Sequence, residues 1–243
     1  MAEDEVIKHT KKIYKTWMSR DIPFWHKISE FLIEILIIVF AVTISIWFHN
    51  LSEHRHEQAD VKYFLEGLKS DLTSDIKEMK SDKESYLLQK TLFSYLSQLR
   101  IKEPVSLDTL RKYRNWLQNT TGLNPNDGRF EGFKSSGKIG NIENKELQND
   151  IMDLYEEDIP ALLTSSRFYT GTKLKLFDFF YKNLKRPTDS TSNLAILLKT
   201  DEGHNLCDAL HSPDQIIGQY DDCIALMTKI IGEIDNQYPS LSE

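Results

Sequence analysis

One stretch near the start of the chain is apolar on all sides of a predicted helix. Residues 31–48 read FLIEILIIVFAVTISIWF, with one charged side chain and neither Gly nor Pro. Extended to Ile28 and His49, the stretch would form a helix of ~33 Å, which is long enough to cross a hydrocarbon core of ~30 Å. The pattern therefore predicts one transmembrane helix at residues 28–49.

A cleaved signal peptide and a buried core helix are two other structures that contain apolar runs of this kind. A signal peptide has a shorter apolar region and ends in small residues, whereas this stretch ends in Trp47 and Phe48. The core helix of a soluble protein rarely stays apolar on every face over such a length. The aromatic residues that flank the stretch, Trp17, Phe24 and Trp25 before it and Trp47 and Phe48 at its end, are typical of interfacial anchors.

The segment after the apolar stretch has a helical period of hydrophobic positions. Residues 50–102 contain no Pro and a single Gly, and apolar residues recur every three or four positions. This pattern predicts a helix that continues outward as a stalk, with the wholly polar run 81–85 as a candidate break. The spacing suits either a coiled coil or packing against later helices of the same chain, and we expect the second.

The rest of the chain alternates helical patterns with turn residues. Ser106 is a predicted N-cap for a short helix that ends near Leu117, and the Gly-rich run 120–140 is predicted to be a loop. Further helices are predicted from Asn144, with a kink or restart at Pro160, and over 162–184, 191–198 and 216–234. No segment alternates long enough to predict strands. The expected fold class is all-α: a basic cytoplasmic arm (1–27), a transmembrane helix (28–49), a stalk and long amphipathic helix (50–102), and the remainder of an irregular extracytoplasmic helical bundle (103–243).

Basic side chains are concentrated before the apolar stretch. Residues 9–28 hold five Lys and Arg, and residues 50–69 hold three, which places the N-terminus in the cytoplasm by the positive-inside rule. The net charge of -7 is uneven, because residues 1–28 carry +2, Glu30 and Glu34 carry -2, and residues 50–243 carry the remaining -7. Since nucleic-acid affinity comes largely from Lys and Arg on phosphate, an acidic domain argues against a nucleic-acid partner.

Glu34 is the one charged residue within the apolar stretch. Glu34, Ala41 and Ser45 are spaced by seven and four residues, so they share one helical face, and Ala41 and Ser45 form a small-xxx-small pair that lets helices approach closely. Three interpretations remain open for Glu34: a helix-packing face, snorkelling of the carboxylate to the interface, and handling of protons or ions. We expect the packing face.

Residues 132–138 match most of a phosphate-binding loop. The run Gly-Phe-Lys-Ser-Ser-Gly-Lys has the G-x-x-x-x-G-K spacing, but Ile139 replaces the Mg²⁺-binding hydroxyl and no strand precedes the loop. We therefore interpret Gly132, Phe133, Ser135, Ser136 and Gly137 as a structural loop, with no cofactor.

Other candidate chemistry is weaker. His49, Glu53, His56 and Asp60 share a helical face, but their spacing is loose and a solvated helix is the expected structure. We find no nucleophile elbow and no acid/base pair, so no catalytic residue is assigned. The only two cysteines, Cys207 and Cys223, would lie ~24 Å apart if one continuous helix joined them, and a turn at Ser212-Pro213 is off-centre between them, so we expect unpaired, partly buried thiols.

Two blocks of the sequence keep a recognisable order of residues. In residues 28–72, an apolar span contains an early Glu34, ends in Trp47 and is followed by a charged helix with Asp71-Leu72. In residues 133–155, FKSSGKIG is followed by IENKEL and then by Ile151 to Tyr155. Together these blocks resemble a family of small uncharacterised single-span membrane proteins of Bacteroidota. The resemblance brings no established activity, and it implies a Gram-negative inner membrane with a periplasmic domain.

The sequence as a whole predicts a non-enzymatic, single-pass membrane protein with a structural or interaction role. Its expected partners are the lipid bilayer and either a second copy of the chain or another membrane protein. Two alternatives are a subunit of an ion- or proton-coupled complex that uses Glu34, and a ligand sensor that binds through the outer helical domain.

Overall fold

The structure, a computed structural model, describes residue 11 and residues 24–99, 102–185 and 193–239. Of these residues 83% are helical and none forms a strand, which confirms the all-α prediction. The basic arm predicted at 1–27, including Trp17, lies outside the described residues except for Lys11 and residues 24–27. The chain divides into two units, Met1–Ala59 and Asp60–Glu243, which are described separately below.

The longest element is helix α1, Phe24–Ser97, which contains both the apolar stretch and the amphipathic stretch. The candidate break at 81–85 was wrong, because the helix runs through this polar run without interruption. Polar partners on the last helix explain this continuity. Asp82 accepts a hydrogen bond of 3.0 Å from the Tyr220 hydroxyl, and Lys83 forms an ion pair with Asp221.

Shorter helices build the rest of the second unit. The predicted N-cap Ser106 is confirmed, because its hydroxyl accepts from Thr109 N at 3.2 Å, and the helix predicted from Asn144 is capped by the Asn144 side chain, which accepts from the amides of Glu146 and Leu147. In chain order the elements are α2 Leu107–Lys112, α3 Arg114–Gln118, α4 Gly128–Ser135, a 3-10 turn Lys138–Asn141, α5 Lys145–Asp153, a π-helical turn Leu154–Asp158, α6 Ile159–Asn183, α7 Leu194–Leu197, α8 Asp201–Asp208 and α9 Asp214–Gln237.

Two of these helices differ from the prediction. Helix α4 and the 3-10 turn lie inside the predicted loop 120–140, where the burial of Phe130 outweighs the low helix propensity of the glycines. Helix α8 was not predicted, although Thr200 caps it by accepting from Gly203 N at 3.2 Å. Gly203 is required at this position, because a Cβ there would lie 2.1 Å from the Leu197 carbonyl oxygen.

The restart expected at Pro160 takes the form of a π-helical turn. Pro160 has no amide hydrogen and would clash with the carbonyl one turn earlier in a regular α-helix. Residues Leu154–Asp158 widen to a π-turn directly before it, and α6 then begins at Ile159 with the proline in its first turn. The chain thus continues from α5 into α6 without a loop.

Helices α1 and α9 run antiparallel within the second unit. Three ion pairs join them, Lys69 to Asp235, Lys83 to Asp221 and Lys90 to Asp214. Both the lysines and the aspartates are spaced by multiples of seven residues, so the heptad-like spacing of α1 matches a helix of its own chain. The expected packing against later helices is therefore observed.

The core of the second unit lies between α1 and the helices that follow it. Its side chains come from every long element of the unit, and the largest of those that are almost fully enclosed are Tyr86, Tyr220, Phe93, Phe130, Leu65, Leu68, Leu72, Met79, Leu92, Leu96 and Ile142. Three polar or charged residues, Asp75, Gln89 and Lys173, are equally buried.

Candidate functional site

The apolar stretch of α1 presents its side chains outward. An 18-residue window of this helix has a mean hydropathy of 2.6, and only 6% of the window is buried. Leu36, Phe40 and Trp47 are 67%, 63% and 59% exposed. By length and composition this helix could cross a membrane, and its exposure differs from that of a helix in a soluble core.

The three residues singled out within the stretch have different environments. Glu34 is only 8% exposed, whereas its neighbours Ile33 and Ile35 are 56% and 41% exposed. Ala41 and Ser45 are exposed, and the Ser45 hydroxyl donates to the Ala41 carbonyl at 2.9 Å. Because the helix itself satisfies this hydroxyl, the small-residue face can enter an apolar environment without leaving a polar group unpaired.

The glycine-rich loop is arranged as the end of a helix. Ser135 and Ser136 donate their hydroxyls back to the carbonyls of Glu131 and Phe133, at 2.6 and 2.7 Å. Gly137 then adopts a left-handed conformation with φ of 76°. In a phosphate-binding loop the amide groups point outward at the start of a helix. Here the serines cap carbonyls at a helix end, which is the geometry of a structural turn.

Aromatic and ionic contacts fasten this region to α1. Phe133 stacks on Phe64 with ring centroids 4.0 Å apart, and Arg129 Nε lies 2.8 Å from Asp71 Oδ2. Lys138 forms an ion pair of 2.7 Å with Asp60, one of the four residues considered as a metal-ligating set. Gly132, which completes the predicted loop residues, lies within α4.

Asp75 anchors the preceding loop to the same helix. Its carboxylate is fully buried and accepts from Asn126 N at 3.1 Å and from Asn126 Nδ2 at 2.5 Å. Burial raises the pKa of Asp75, and the two hydrogen bonds from Asn126 oppose this shift. The residue therefore fixes the backbone of the loop that leads into α4.

Lys173 is the most unusual buried group of the second unit. It lies on α6, is 1% exposed, and donates from Nζ to Gln89 Oε1 at 2.5 Å. Its ammonium also lies 5.9 Å from the centroid of the Phe93 ring. Burial lowers the pKa of Lys173 from its ordinary value of 10.5 to about 7. The buried environment thus disfavours the charged form of this amine.

Gln89 connects Lys173 to a cleft at the surface. Gln89 is 2% exposed, and its Nε2 donates to Thr121 Oγ1 at 3.4 Å. The carbonyl of Thr121 accepts from the Tyr86 hydroxyl at 3.0 Å, which fixes the loop after α3 against α1. The cleft above this network has a volume of about 190 Å³ and is lined by Ser85, Gln89, Asn115, Trp116, Asn119, Thr120 and Thr121.

A cluster of three buried tyrosines lies beside this network. The ring of Tyr86 is 5.4 Å from that of Tyr169 and 5.8 Å from that of Tyr220. Burial raises the pKa of all three phenols, so they stay protonated and donate, with Tyr169 bonding the Leu210 carbonyl at 3.1 Å. The nearby Ser166 hydroxyl is buried and forms no hydrogen bond of normal geometry with any described residue. We assign this cluster to the core.

Among the residues that the structure describes, three carboxylates come together where α5 meets α9. Glu146, Asp150 and Glu233 place oxygen atoms within 4.8 Å of one another. The ammonium of Lys229 lies 2.8, 2.7 and 3.6 Å from these three carboxylates, and its pKa is raised by its hydrogen bonds to Asp150 and Glu146. A lysine side chain therefore holds the position that a cation would take.

The remaining candidates show no convergent chemistry. His49 and Glu53 approach only to 3.9 Å, with side chains that are 79% and 63% exposed. Cys207 and Cys223 are both free and buried, and burial raises the pKa of each thiol to about 12. Both cysteines are therefore protonated core residues.

Comparison with known families supplies one match. The model of a "Family of unknown function (DUF6090)" matches residues 34–178, which is more than half of the chain. The chain belongs to this family. The DUF6090 match begins at Glu34, includes the glycine-rich turn and Lys173, and ends within α6. No curated protein and no solved structure matches the chain.

Membership of the DUF6090 family agrees with the expected resemblance to an uncharacterised family, and it transfers no activity to this chain. The expected origin in Bacteroidota and the sequence blocks assigned to that resemblance stay predictions.

Proposed function

We propose that this DUF6090 protein is a single-pass inner-membrane protein with a structural or interaction role and no enzymatic activity. The observation that carries the proposal is the exposure of the apolar stretch, of which only 6% is buried. A continuous apolar surface of this size would be unfavourable in water, whereas lipid solvates it. The lipid bilayer is thus the first partner of the chain.

The distribution of charge supports one orientation. Five Lys and Arg residues at 9–28, against three at 50–69, favour a cytoplasmic N-terminus and a periplasmic helical domain. That domain carries the acidic excess of the chain, so it would be repelled by the anionic surface of the bilayer.

Of the face predicted from Glu34, Ala41 and Ser45, the two small residues are exposed, which supports association within the membrane, with a second copy or with another membrane protein. Exposed small residues let two helices approach closely, and the Ser45 hydroxyl is already bonded to its own helix. A second candidate function is an ion- or proton-coupled subunit, which the burial of the Glu34 carboxylate favours.

The association is tested in lipid vesicles by energy transfer between two labelled populations of the full-length protein. Ala41→Leu with Ser45→Leu should lower the association constant by about tenfold or more, since it replaces both small residues. Val42→Leu is the matched control, because Val42 is 53% exposed but lies on a different face. Equal loss in the control, or no loss in the double variant, would contradict self-association through this face.

Glu34→Gln separates the two candidate functions. If Glu34 belongs to a packing face, the substitution keeps the size of the side chain, so association is weakened or unchanged. Ion movement across the membrane is then unaffected. If the protein is an ion-coupled subunit, association persists and proton flux across the vesicle membrane is lost.

A further inference from the structure

The cleft beside Gln89 differs from an ordinary surface depression in its composition. Every side chain that lines it can form a hydrogen bond, and none of them carries a charge. They come from three parts of the chain: Ser85 and Gln89 from α1, Asn115 and Trp116 from α3, and Thr120 and its neighbours from the following loop. In binding sites, polar groups that converge from separate segments fix the orientation of a ligand.

The base of the cleft has a fixed orientation. Lys173 Nζ donates to Gln89 Oε1 at 2.5 Å, so the oxygen of the Gln89 amide points inward, toward the buried amine. Gln89 Nε2 then points toward Thr121, which lines the cleft. Lys173 is 1% exposed and does not line the cleft, so it acts as a positioning residue.

The lining also restricts the chemistry of a ligand. Amides and hydroxyls each offer donors and acceptors, and a hydroxyl-rich molecule can use both at once. Trp116 is the one aromatic residue among those that line the cleft. With about 190 Å³, the cleft is smaller than the ~300 Å³ that drug-sized ligands need.

We propose that the cleft lined by Gln89, Asn115, Trp116, Asn119 and Thr120 binds a small uncharged polyhydroxylated molecule of the size of one monosaccharide. Asn115, Asn119 and Thr120 bond its hydroxyls, and the amide of Gln89, held by Lys173, forms the base. This site lies entirely within the second unit and does not depend on association through the apolar stretch.

Saturation-transfer NMR on the full-length protein tests the site, with D-glucose and N-acetyl-D-glucosamine as separate probes. The protein is held in lipid nanodiscs free of glycoside detergents, because a maltoside headgroup would compete for the cleft. At least one sugar should give a saturable signal with half-saturation in the millimolar range or below, as expected for a ligand with few contacts.

Two variants at exposed positions locate the binding. Asn119→Ala removes a hydrogen-bonding amide and should raise the half-saturation concentration by about tenfold, which corresponds to ~1.4 kcal/mol. Thr120→Trp fills the cleft and should abolish the signal. Asn205→Ala is the matched control, since Asn205 is an exposed asparagine on α8 that does not line the cleft.

The melting temperatures of all three variants are compared with the parent to establish that each is folded. Absence of a saturable signal from both sugars in the parent protein would overturn the proposal. So would equal half-saturation in the parent and in folded Thr120→Trp, because the sugar would then be bound elsewhere.

Discussion

At the scale of single residues, Lys173 is a buried amine of the second unit whose protonation is disfavoured by folding. Moving an amine out of water disfavours its charged form, and the Gln89 oxygen provides only a neutral acceptor. No carboxylate is recorded as a partner of Lys173 among the described residues, and burial alone accounts for its lowered pKa. Folding therefore works against protonation of this side chain.

This lowered pKa predicts a defined dependence of stability on pH. The pKa of Lys173 is about 7 in the folded protein and near 10.5 in the unfolded chain, so between these values the unfolded state binds more protons. The contribution of Lys173 to the free energy of unfolding should rise between pH 7 and pH 10 by up to ~1.4 kcal/mol per pH unit, and should be constant below pH 7.

Urea unfolding of the full-length protein, followed by near-ultraviolet circular dichroism across this pH range, measures the effect. Lys173→Met should remove this part of the slope, whereas Lys175→Met, at an exposed position on the same helix, should keep it. Identical slopes for the parent and Lys173→Met would show that the buried amine titrates as in water.

The burial of the charged residues Lys173 and Asp75 was not predicted, yet the sequence contained a sign of each. Lys173 falls between Tyr169 and Leu176 on the buried stripe of α6, at steps of four and three residues. Asp75 likewise interrupts the stripe of α1, between Leu72 and Met79. A single charged residue in such a stripe is easily interpreted as solvent-facing. Its burial becomes visible only when the partner, here Gln89 or Asn126, is known.

At the scale of elements, α1 and α9 are held in register by a repeat of charges. The pairs Lys69–Asp235, Lys83–Asp221 and Lys90–Asp214 keep a constant sum of residue numbers, as an antiparallel helix pair requires. Their side chains are between 25% and 56% exposed, so each pair is worth at most about 1 kcal/mol. The pairs select the register, and the apolar core supplies the stability.

A charge exchange tests this register. Lys83→Glu should lower the free energy of unfolding by about 0.5–1 kcal/mol, since it faces Asp221 with a like charge. Asp221→Lys in the same chain should recover most of this loss, and added salt should shrink the coupling measured by the double-mutant cycle. Additive losses in the double variant would mean that the two side chains do not meet.

The elements themselves were predictable where the apolar period is long, as in α6 and α9. The predictions were wrong where tertiary contacts determine whether a segment is helical. The run 81–85 is polar in sequence, but Asp82 and Lys83 have partners on α9, so the helix continues. Helix α4 forms in a glycine-rich run because Phe130 and Phe133 are buried or stacked on other aromatic rings. Only α8 had an overlooked local sign, the Thr200 cap followed by Asp201 and Glu202.

At the scale of the whole molecule, the helical fold and the relation to the membrane have separate origins in the sequence. The all-α fold follows from helical periodicity over most of the sequence, and the structure confirms it. The relation to the membrane rests on one apolar stretch, whose side chains are mostly exposed, with only 6% of the window buried. The turn at 132–137 belongs with the helical fold, because Phe133 stacks on Phe64 of α1.

The most direct test is sedimentation of cell membranes after an alkaline carbonate wash, which removes peripheral proteins and leaves spanning proteins in the pellet. The full-length chain should remain in the pellet. A variant with Leu36→Arg and Phe40→Arg should move to the supernatant, since each arginine adds about 2.5–3.5 kcal/mol to the cost of insertion. Recovery of the unaltered chain in the supernatant would contradict the account.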